Sequence, residues 1–214
     1  MGSGVALLLW PLTNIIWRKR FKRVSSSAKH MPTAIIIHGA LGSPSENWFP
    51  WLKKELEKLG YTVFVPAFPT PENQTLENWL KVFSQDEKLL DENSILVGHS
   101  LGSPFLLSAI SRLKKPVKAA YLVAGFLHPL GIPQFDPILP TFLNCDFNFK
   151  KICGNCHKFI VFSSDNDPYV KAAQGSELAD KLGAEFVLVK GAGHFNKSAG
   201  YEKFELLLSK IKEI

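Results

Sequence analysis

Short apolar runs rich in β-branched residues alternate along this chain with segments whose apolar residues recur at helical spacing. The runs, which are typical of strands buried on both faces, are found at residues 33–38, 61–65, 94–97, 117–124, 157–163 and 185–189. The helical segments are found at residues 44–59, 75–83, 101–113, 170–182 and 201–211. This alternation predicts one α/β domain, with a mostly parallel sheet of about six strands and helices on both faces.

The first helix has a predicted start and end. Ser43 is expected to be its N-cap, Pro44 its first residue and Glu46 the capping-box partner, because these residue types favour those positions. Trp48, Trp51, Leu52, Leu56 and Leu59 follow at helical spacing and are expected to face inward. Gly60 is expected to end the helix.

A G-x-S-x-G motif lies between the third strand and the helix that follows it. Gly98 and Gly102 let a strand and a helix approach closely, which holds Ser100 in a strained turn with its hydroxyl exposed. Parallel α/β sheets bind ligands at the carboxyl ends of their strands, where this turn lies. Ser100 is therefore a candidate nucleophile, and the alternative is an ordinary strand–helix turn.

A serine nucleophile needs a base and an acid to orient that base. His194 follows the last predicted strand, at the position in the chain where an α/β-hydrolase has its catalytic histidine. Two acids, Asp165 and Asp167, follow the preceding strand. Asp167 is favoured because Asp167-Pro168-Tyr169-Val170 has the D-x-x-V form, and Asp165 stays the alternative. The acid that is not used is expected to cap a turn or helix.

Acyl transfer also needs N–H donors for the oxyanion that forms. The backbone amide of Leu101 follows the candidate nucleophile at a helix N-terminus. The second donor is expected from the glycine-rich segment after the first strand, and Ala40 is the candidate. The alternative for this segment is a turn without a catalytic role.

A long segment at residues 125–154 is rich in Phe, Leu and Pro and is expected above the candidate site. Such a segment is typical of an apolar wall or lid that binds an acyl or aromatic group. Leu41, Phe126 and Leu127 are the candidate substrate-binding residues. Simple packing of the segment onto the domain is the alternative.

Cys145, Cys153, Cys156 and His157 are candidate zinc ligands by residue type. Only one C-x-x-C pair exists, and adjacent Cys156 and His157 would have to bend onto one ion. A redox C-x-x-C normally begins a helix, whereas this one precedes a strand. We therefore expect free thiols, no metal site and no organic cofactor, and the few cysteines indicate a reducing compartment.

The formal charge of +6 has one source. Residues 1–30, the leader, hold six basic residues and no acid, and the rest of the chain is neutral. A nucleic-acid partner is not expected, because the domain has no basic excess to form an electrostatic footprint. The predicted boundary separates this leader from the α/β-hydrolase domain at residues 31–214.

The leader has an apolar run at residues 5–17, followed by a basic cluster. The run is too short to span a bilayer, for which about 20 residues are needed. An organellar targeting segment, an interfacial membrane anchor and a remnant of cloning stay open. The cytoplasm or an organelle interior is the expected location, with membrane contact only through residues 1–30.

Four further segments carry a family resemblance. They are Trp48-x-x-Trp51-Leu52, Phe68-Pro69-x-Pro71, Ser164-x-x-Asp167-Pro168 and Gly193-His194-Phe195. With the G-x-S-x-G motif, residues 31–214 resemble the small α/β-hydrolases related to retinoblastoma-binding protein nine and its bacterial relatives. The resemblance implies a catalytic triad at Ser100, Asp167 and His194. No L-x-C-x-E sequence is present, so no pocket-protein partner is carried over.

These observations predict a serine hydrolase that cleaves a carboxylic ester, thioester or amide of a small molecule through an acyl-enzyme. Two alternatives stay open. One is a non-catalytic binding protein on a hydrolase scaffold, and the other is a membrane-attached lipase that uses the leader. The sequence does not indicate an oligomeric state or a natural substrate.

Overall fold

Six parallel strands form one sheet in the computed structural model, which describes residues 1–2 and 31–214. The strands are β1 (Thr33–Ile37), β2 (Thr62–Phe64), β3 (Ile95–His99), β4 (Val117–Val123), β5 (Cys156–Ser164) and β6 (Glu185–Val189). Their order across the sheet is β2-β1-β3-β4-β5-β6, and each neighbouring pair is parallel. The chain order reverses between β1 and β3, and such a switch point is where open α/β sheets bind ligands.

Seven α-helices connect and cover these strands in the described residues. They are α1 (Phe49–Lys58), α2 (Leu76–Glu87), α3 (Gly102–Ile110), α4 (Pro140–Leu143), α5 (Phe149–Gly154), α6 (Ala172–Leu182) and α7 (Glu205–Lys212). The apolar residues of α1 and α7 belong to one hydrophobic core, and those of α2 to α6 belong to a second.

The two cores lie on the two faces of the sheet, because alternate residues of a strand point to opposite faces. In β1, Ile35 and Ile37 belong to one core, while Ala34 and Ile36 belong to the other. All five residues of β1 are buried, which is the reason that its sequence is a continuous apolar run. The predicted fold class is therefore confirmed, and residues Met31–Ile214 form one compact unit.

The predicted start of α1 is wrong. The helix begins at Phe49 after Trp48, and Pro50 rather than Pro44 occupies its first turn. Asn47 has a left-handed backbone conformation, with φ of 52°, which interrupts any helix that began at Pro44.

The side chains predicted to cap α1 have other contacts. The Ser43 hydroxyl lies 3.3 Å from that of Ser45, and Glu46 lines a cavity. Leu59, which was expected to face inward, follows the end of the helix and is exposed.

Two further segments differ from their predictions. The last helix begins at Glu205 rather than Tyr201, because Tyr201 and Phe204 pack in an aromatic cluster before it. The segment at residues 125–154, for which no helix was predicted, contains a 3₁₀ turn (Asp136–Ile138), α4 and α5.

The predictions about the leader, including its roles as a targeting segment, membrane anchor or remnant of cloning, fall almost entirely on residues 3–30, outside the described residues. Among the helices that are described, none has the length and apolar character that crossing a bilayer requires.

Candidate active site

Ser100 lies in a sharp turn between β3 and α3. Its φ of 52° is in the left-handed region, which costs a non-glycine residue about 1 kcal/mol or more. Close packing holds this conformation, since a Cβ atom on Gly98 would lie 2.6 Å from the Gly102 carbonyl oxygen. The backbone strain expected from the G-x-S-x-G motif is therefore present.

Gly102→Ala tests this close approach. The added Cβ would lie 2.7 Å from the Ile37 carbonyl oxygen and 2.9 Å from that of His38, so β1 and α3 would have to separate. We expect a loss of about 1–3 kcal/mol in the free energy of unfolding, measured by urea denaturation. Gly154→Ala is the matched control, because nothing lies within 4 Å of its added Cβ; an equal loss in both variants would contradict the account.

Beside this turn, the side chains of His194 and Asp167 are buried and lie at ion-pair distance from each other. The His194 Nδ1 and Asp167 Oδ2 atoms are 2.8 Å apart, and the side chains are 10% and 1% exposed. The other carboxylate oxygen, Oδ1, accepts the backbone N–H groups of Tyr169 and Val170 at 2.9 and 3.1 Å. Both oxygens of Asp167 therefore have partners, which holds the carboxylate in one orientation toward His194.

Asp165, the alternative acid, contacts a different atom. Its Oδ1 accepts the backbone N–H of Gly191 at 2.8 Å, three residues before His194. This contact joins two loops that are distant in sequence, and it differs from the local turn or helix cap that was expected of the acid that does not pair with the histidine.

The two predicted oxyanion donors lie in the segments that follow β1 and precede α3. Ala40 follows β1, and Leu101 precedes the first residue of α3. In the described part of the chain, neither backbone amide donates a hydrogen bond, while the neighbouring Leu41 amide donates to Thr70 Oγ1 and Gln74 Oε1. The structure thus leaves the Ala40 and Leu101 amides available to an oxyanion.

One cavity of about 270 Å³ joins these groups. The candidate residues that line it are Ala40, Leu41, Ser100, Leu101, Phe126 and His194. No hydrogen bond joins Ser100 to His194 within the described residues, and in hydrolases this contact often tightens only with substrate bound.

Leu127 does not line the cavity with the other candidate substrate-binding residues. The backbone N–H groups of Leu127 and His128 donate to Gln174 Oε1 on α6 at 3.2 and 3.0 Å. This contact anchors the segment, and the Leu127 side chain packs in the core. The prediction placed Leu127 beside substrate because it is an apolar residue of the segment expected above the site.

The cavity also contains residues that sequence reasoning missed. They are Glu46, Asn47, Gln134, Leu139, Tyr169 and Asn196, besides His99, whereas Leu130 and Phe135 belong to the segment that was predicted to form an apolar wall. The Tyr169 ring packs edge-on against His194, with ring centroids 4.9 Å apart. Burial raises the pKa of Glu46. Tyr169 could have been predicted from the sequence, because it lies two residues after Asp167. Glu46 was instead assigned to a helix cap.

The rings of His38 and His99 each make a contact outside their own turn, which no sequence motif indicated. His38 Nδ1 donates to the Gly39 carbonyl, 2.8 Å away, and His38 Nε2 accepts the Phe68 N–H at 3.1 Å. His99 Nε2 lies 2.8 Å from the His194 carbonyl oxygen. Burial lowers the pKa of both imidazoles, that of His99 to about 3, so both rings are neutral.

Acidification is expected to destabilise the fold through His99. Its imidazole titrates near 6.5 when unfolded and near 3 when folded, so the unfolded state takes up the proton first. The contribution of His99 to the free energy of unfolding is complete above pH 6.5 and is lost as the pH falls toward 3. We expect a slope of up to about 1.4 kcal/mol per pH unit in urea denaturation at pH 4.5–7. In His99→Gln the slope should be shallower, and an unchanged slope would rule His99 out as its source.

The positions of the three cysteines bear on the hypothesis of a zinc site. In the described residues, no group of three or more His, Cys, Asp or Glu side chains is placed to hold a metal ion. Cys145, Cys153 and Cys156 are free thiols, and burial raises the pKa of Cys153 and Cys156. Their protonated forms are poor metal ligands.

Comparisons with known proteins find hydrolases of similar sequence and structure. YdeN of Bacillus subtilis (strain 168), which is named as a hydrolase, is 33% identical over 174 residues, covering 80% of this chain and 90% of YdeN. Its crystal structure matches with a TM-score of 0.80 at 30% identity, over 85% of this chain and 97% of YdeN. The serine hydrolase RBBP9 of Rattus norvegicus is 27% identical over 182 residues, covering 83% of this chain and 95% of RBBP9.

A more distant structure shows the shared fold. Mouse alpha/beta hydrolase domain-containing protein 10 matches with a TM-score of 0.61 at 20% identity, over 85% of this chain and 88% of that protein. The model of the serine hydrolase family matches residues 34–213. With that match over most of its length, this chain belongs to the serine hydrolase family and has the α/β-hydrolase fold.

Proposed function

We propose that this serine hydrolase cleaves small carboxylic esters, thioesters or amides through an acyl-enzyme on Ser100, with Asp167 and His194 completing a triad. The observation that carries the proposal is the 2.8 Å contact between His194 Nδ1 and the buried Asp167 carboxylate, on a cavity that Ser100 also lines. A serine hydroxyl needs such an oriented base, because it is a weak nucleophile at its own pKa.

The proposed mechanism follows from the hydrogen bonds. An Asp167 carboxylate oxygen accepts a hydrogen bond from the His194 Nδ1–H group, so the proton stays on Nδ1 and the ring's lone pair is on Nε2. Nε2 takes the Ser100 proton as Oγ attacks the carbonyl carbon, and then returns it to the leaving group. The Leu101 and Ala40 amides stabilise the oxyanion. A water molecule, activated by Nε2 in the same way, then hydrolyses the acyl-enzyme.

Asp167 contributes by orientation and charge. The carboxylate holds the His194 ring in the required tautomer and stabilises the imidazolium that forms in each half-reaction. Burial of the carboxylate strengthens both effects, since charges interact more strongly away from water.

The cavity supports a small acyl substrate. The cavity volume of about 270 Å³ is smaller than the roughly 300–1,000 Å³ that is typical of sites for drug-sized ligands. Phe126, Leu130, Phe135 and Leu139 supply an apolar wall, which fits a short aliphatic or single-ring acyl group. This arrangement favours carboxylesterase-like activity over hydrolysis of long-chain lipids.

A substrate panel tests the proposal. Turnover of p-nitrophenyl acetate, butyrate, octanoate and dodecanoate would be measured beside a butyryl thioester and an anilide. We expect kcat/KM to be highest for the short esters and lowest for dodecanoate. A folded wild-type protein that turns over none of them would contradict the proposal, and retention of tight ligand binding without turnover would favour a non-catalytic binding protein.

A further inference from the structure

The backbone of the histidine loop (residues 190–196) is held by side chains from two other parts of the chain. One part is the end of β5 and the turn after it. Three successive N–H groups of the loop donate to three successive side chains there: Gly191 to Asp165 at 2.8 Å, Ala192 to Ser164 at 3.0 Å and Gly193 to Asn166 at 2.8 Å. The segment that contains Asp167 therefore also fixes the approach to His194.

The second part is the serine turn and the residue before α1. His99 Nε2 lies 2.8 Å from the His194 carbonyl oxygen, and Trp48 Nε1 donates to the Phe195 carbonyl oxygen at 2.9 Å. A carbonyl oxygen only accepts, so His99 must carry its proton on Nε2. The carbonyl oxygens of His194 and Phe195 thus each accept a hydrogen bond from a ring N–H group.

Left-handed backbone conformations flank His194, and the one at Phe195 is strained. Gly193 and Phe195 both have a φ of 51°, and for an aromatic residue this conformation is costly. Such residues persist only where the surroundings enforce their conformation. Phe195 is fully buried, and the Trp48 contact satisfies its carbonyl, which would otherwise be a buried acceptor without a partner.

We propose that His99 and Trp48 are positioning residues, which fix the main chain of His194 and thereby aim its imidazole at Ser100. This inference rests on the proposed function, because it assigns the two residues a role in placing the proposed base. His99 also contacts the base directly, with ring centroids 4.9 Å apart. Since His99 adjoins Ser100 in the chain, it links nucleophile and base through one side chain.

The protonation state of His99 is consistent with a ring that always donates this hydrogen bond. Burial is the main reason that the pKa of His99 is low, and the charged or titratable groups that face it are His194, Asp167 and His38. A neutral ring with its proton on Nε2 keeps donating to the carbonyl throughout the pH range in which His194 acts as a base. A ring that merely filled space would gain nothing from a polar nitrogen here, because burying that nitrogen costs free energy.

A matched pair of variants separates positioning from packing. His99→Gln keeps an N–H donor near the carbonyl, whereas His99→Leu fills similar space without one. For p-nitrophenyl butyrate we expect His99→Leu to lower kcat by about 10- to 100-fold with little change in KM, and His99→Gln to recover most of the loss. Equal kcat values in the two variants, or a loss confined to KM, would overturn the proposal.

Trp48→Phe is the second variant, and it decides the question if the His99 variants do not fold. It keeps an aromatic ring against Phe49 and Phe204 and removes the N–H. A lowered kcat at unchanged KM is expected, with urea denaturation confirming the fold, and an unchanged kcat would overturn the role of Trp48.

Nitrogen NMR of the wild-type histidines gives a readout independent of turnover. We expect the His99 ring to be neutral and protonated on Nε2 from pH 5 to 9. A ring protonated on Nδ1 would remove the donor and overturn the inference. Lack of esterase activity in the wild type would instead contradict the proposed function, so the two failures are distinguishable.

Discussion

Ser100→Ala is expected to lower kcat/KM for p-nitrophenyl butyrate by about 10⁴-fold or more, with the fold unchanged. The substitution removes one oxygen atom, and Ala has the same Cβ atom in the strained turn as Ser. Without Oγ no acyl-enzyme forms, and only the oxyanion donors and substrate binding stay to accelerate attack by water. Steady-state hydrolysis and urea denaturation of the same preparation would measure the two quantities.

Ser108→Ala is the control for this variant. Ser108 is buried on α3, the helix that follows the turn, and it does not line the cavity. We expect its kcat/KM to stay within about twofold of wild type, as for substitutions distant from the reacting atoms. If Ser100→Ala retained wild-type turnover, another nucleophile would have to be responsible.

Asp167→Asn is expected to lower kcat by about 10⁴-fold. Oδ1 of residue 167 accepts two backbone N–H groups, so the Asn carbonyl oxygen would keep that position and its NH₂ group would face His194. An NH₂ group donates, which forces the His194 proton onto Nε2. The Nε2 atom then has no lone pair with which to take the Ser100 proton.

Asp165→Asn is the matched comparison for this second prediction. Its Oδ1 accepts the Gly191 N–H, and Asn keeps an oxygen that accepts the same bond. Turnover should therefore stay within about threefold of wild type, and the bell-shaped pH profile of kcat/KM should keep its shape. The opposite pattern, with Asp165→Asn inactive and Asp167→Asn active, would assign the acid to Asp165.

Local sequence patterns were sufficient to predict those elements of the fold in which all residues are buried. Residues 33–38 form an apolar run because β1 is buried on both faces, and the parallel sheet follows from strands that alternate with helices. The start of α1 was not predictable in this way. Ser43, Pro44 and Glu46 have the residue types of a helix start, but the left-handed Asn47 depends on contacts distant in sequence, such as the 2.9 Å bond from the Lys197 N–H to its side chain.

The position of the candidate site was predictable because its residues follow strand ends. Ser100, Asp167 and His194 each follow a different strand, and the parallel sheet brings those ends to one edge. The cavity wall was less predictable, since Leu127 and Phe126 are adjacent and similar but only Phe126 lines the cavity. The role of His99 was not visible either, because its partner is a backbone carbonyl, which no sequence motif marks.

Covalent labelling tests the central claim most directly, because it asks whether Ser100 is an activated nucleophile. Wild-type protein, Ser100→Ala and Asp167→Asn would be treated with a fluorophosphonate and analysed by intact-mass spectrometry and peptide mapping. The account predicts one adduct per wild-type chain, mapped to Ser100, with no adduct in Ser100→Ala and slow labelling in Asp167→Asn. An adduct on another residue, or an unlabelled wild-type protein that is folded, would contradict it.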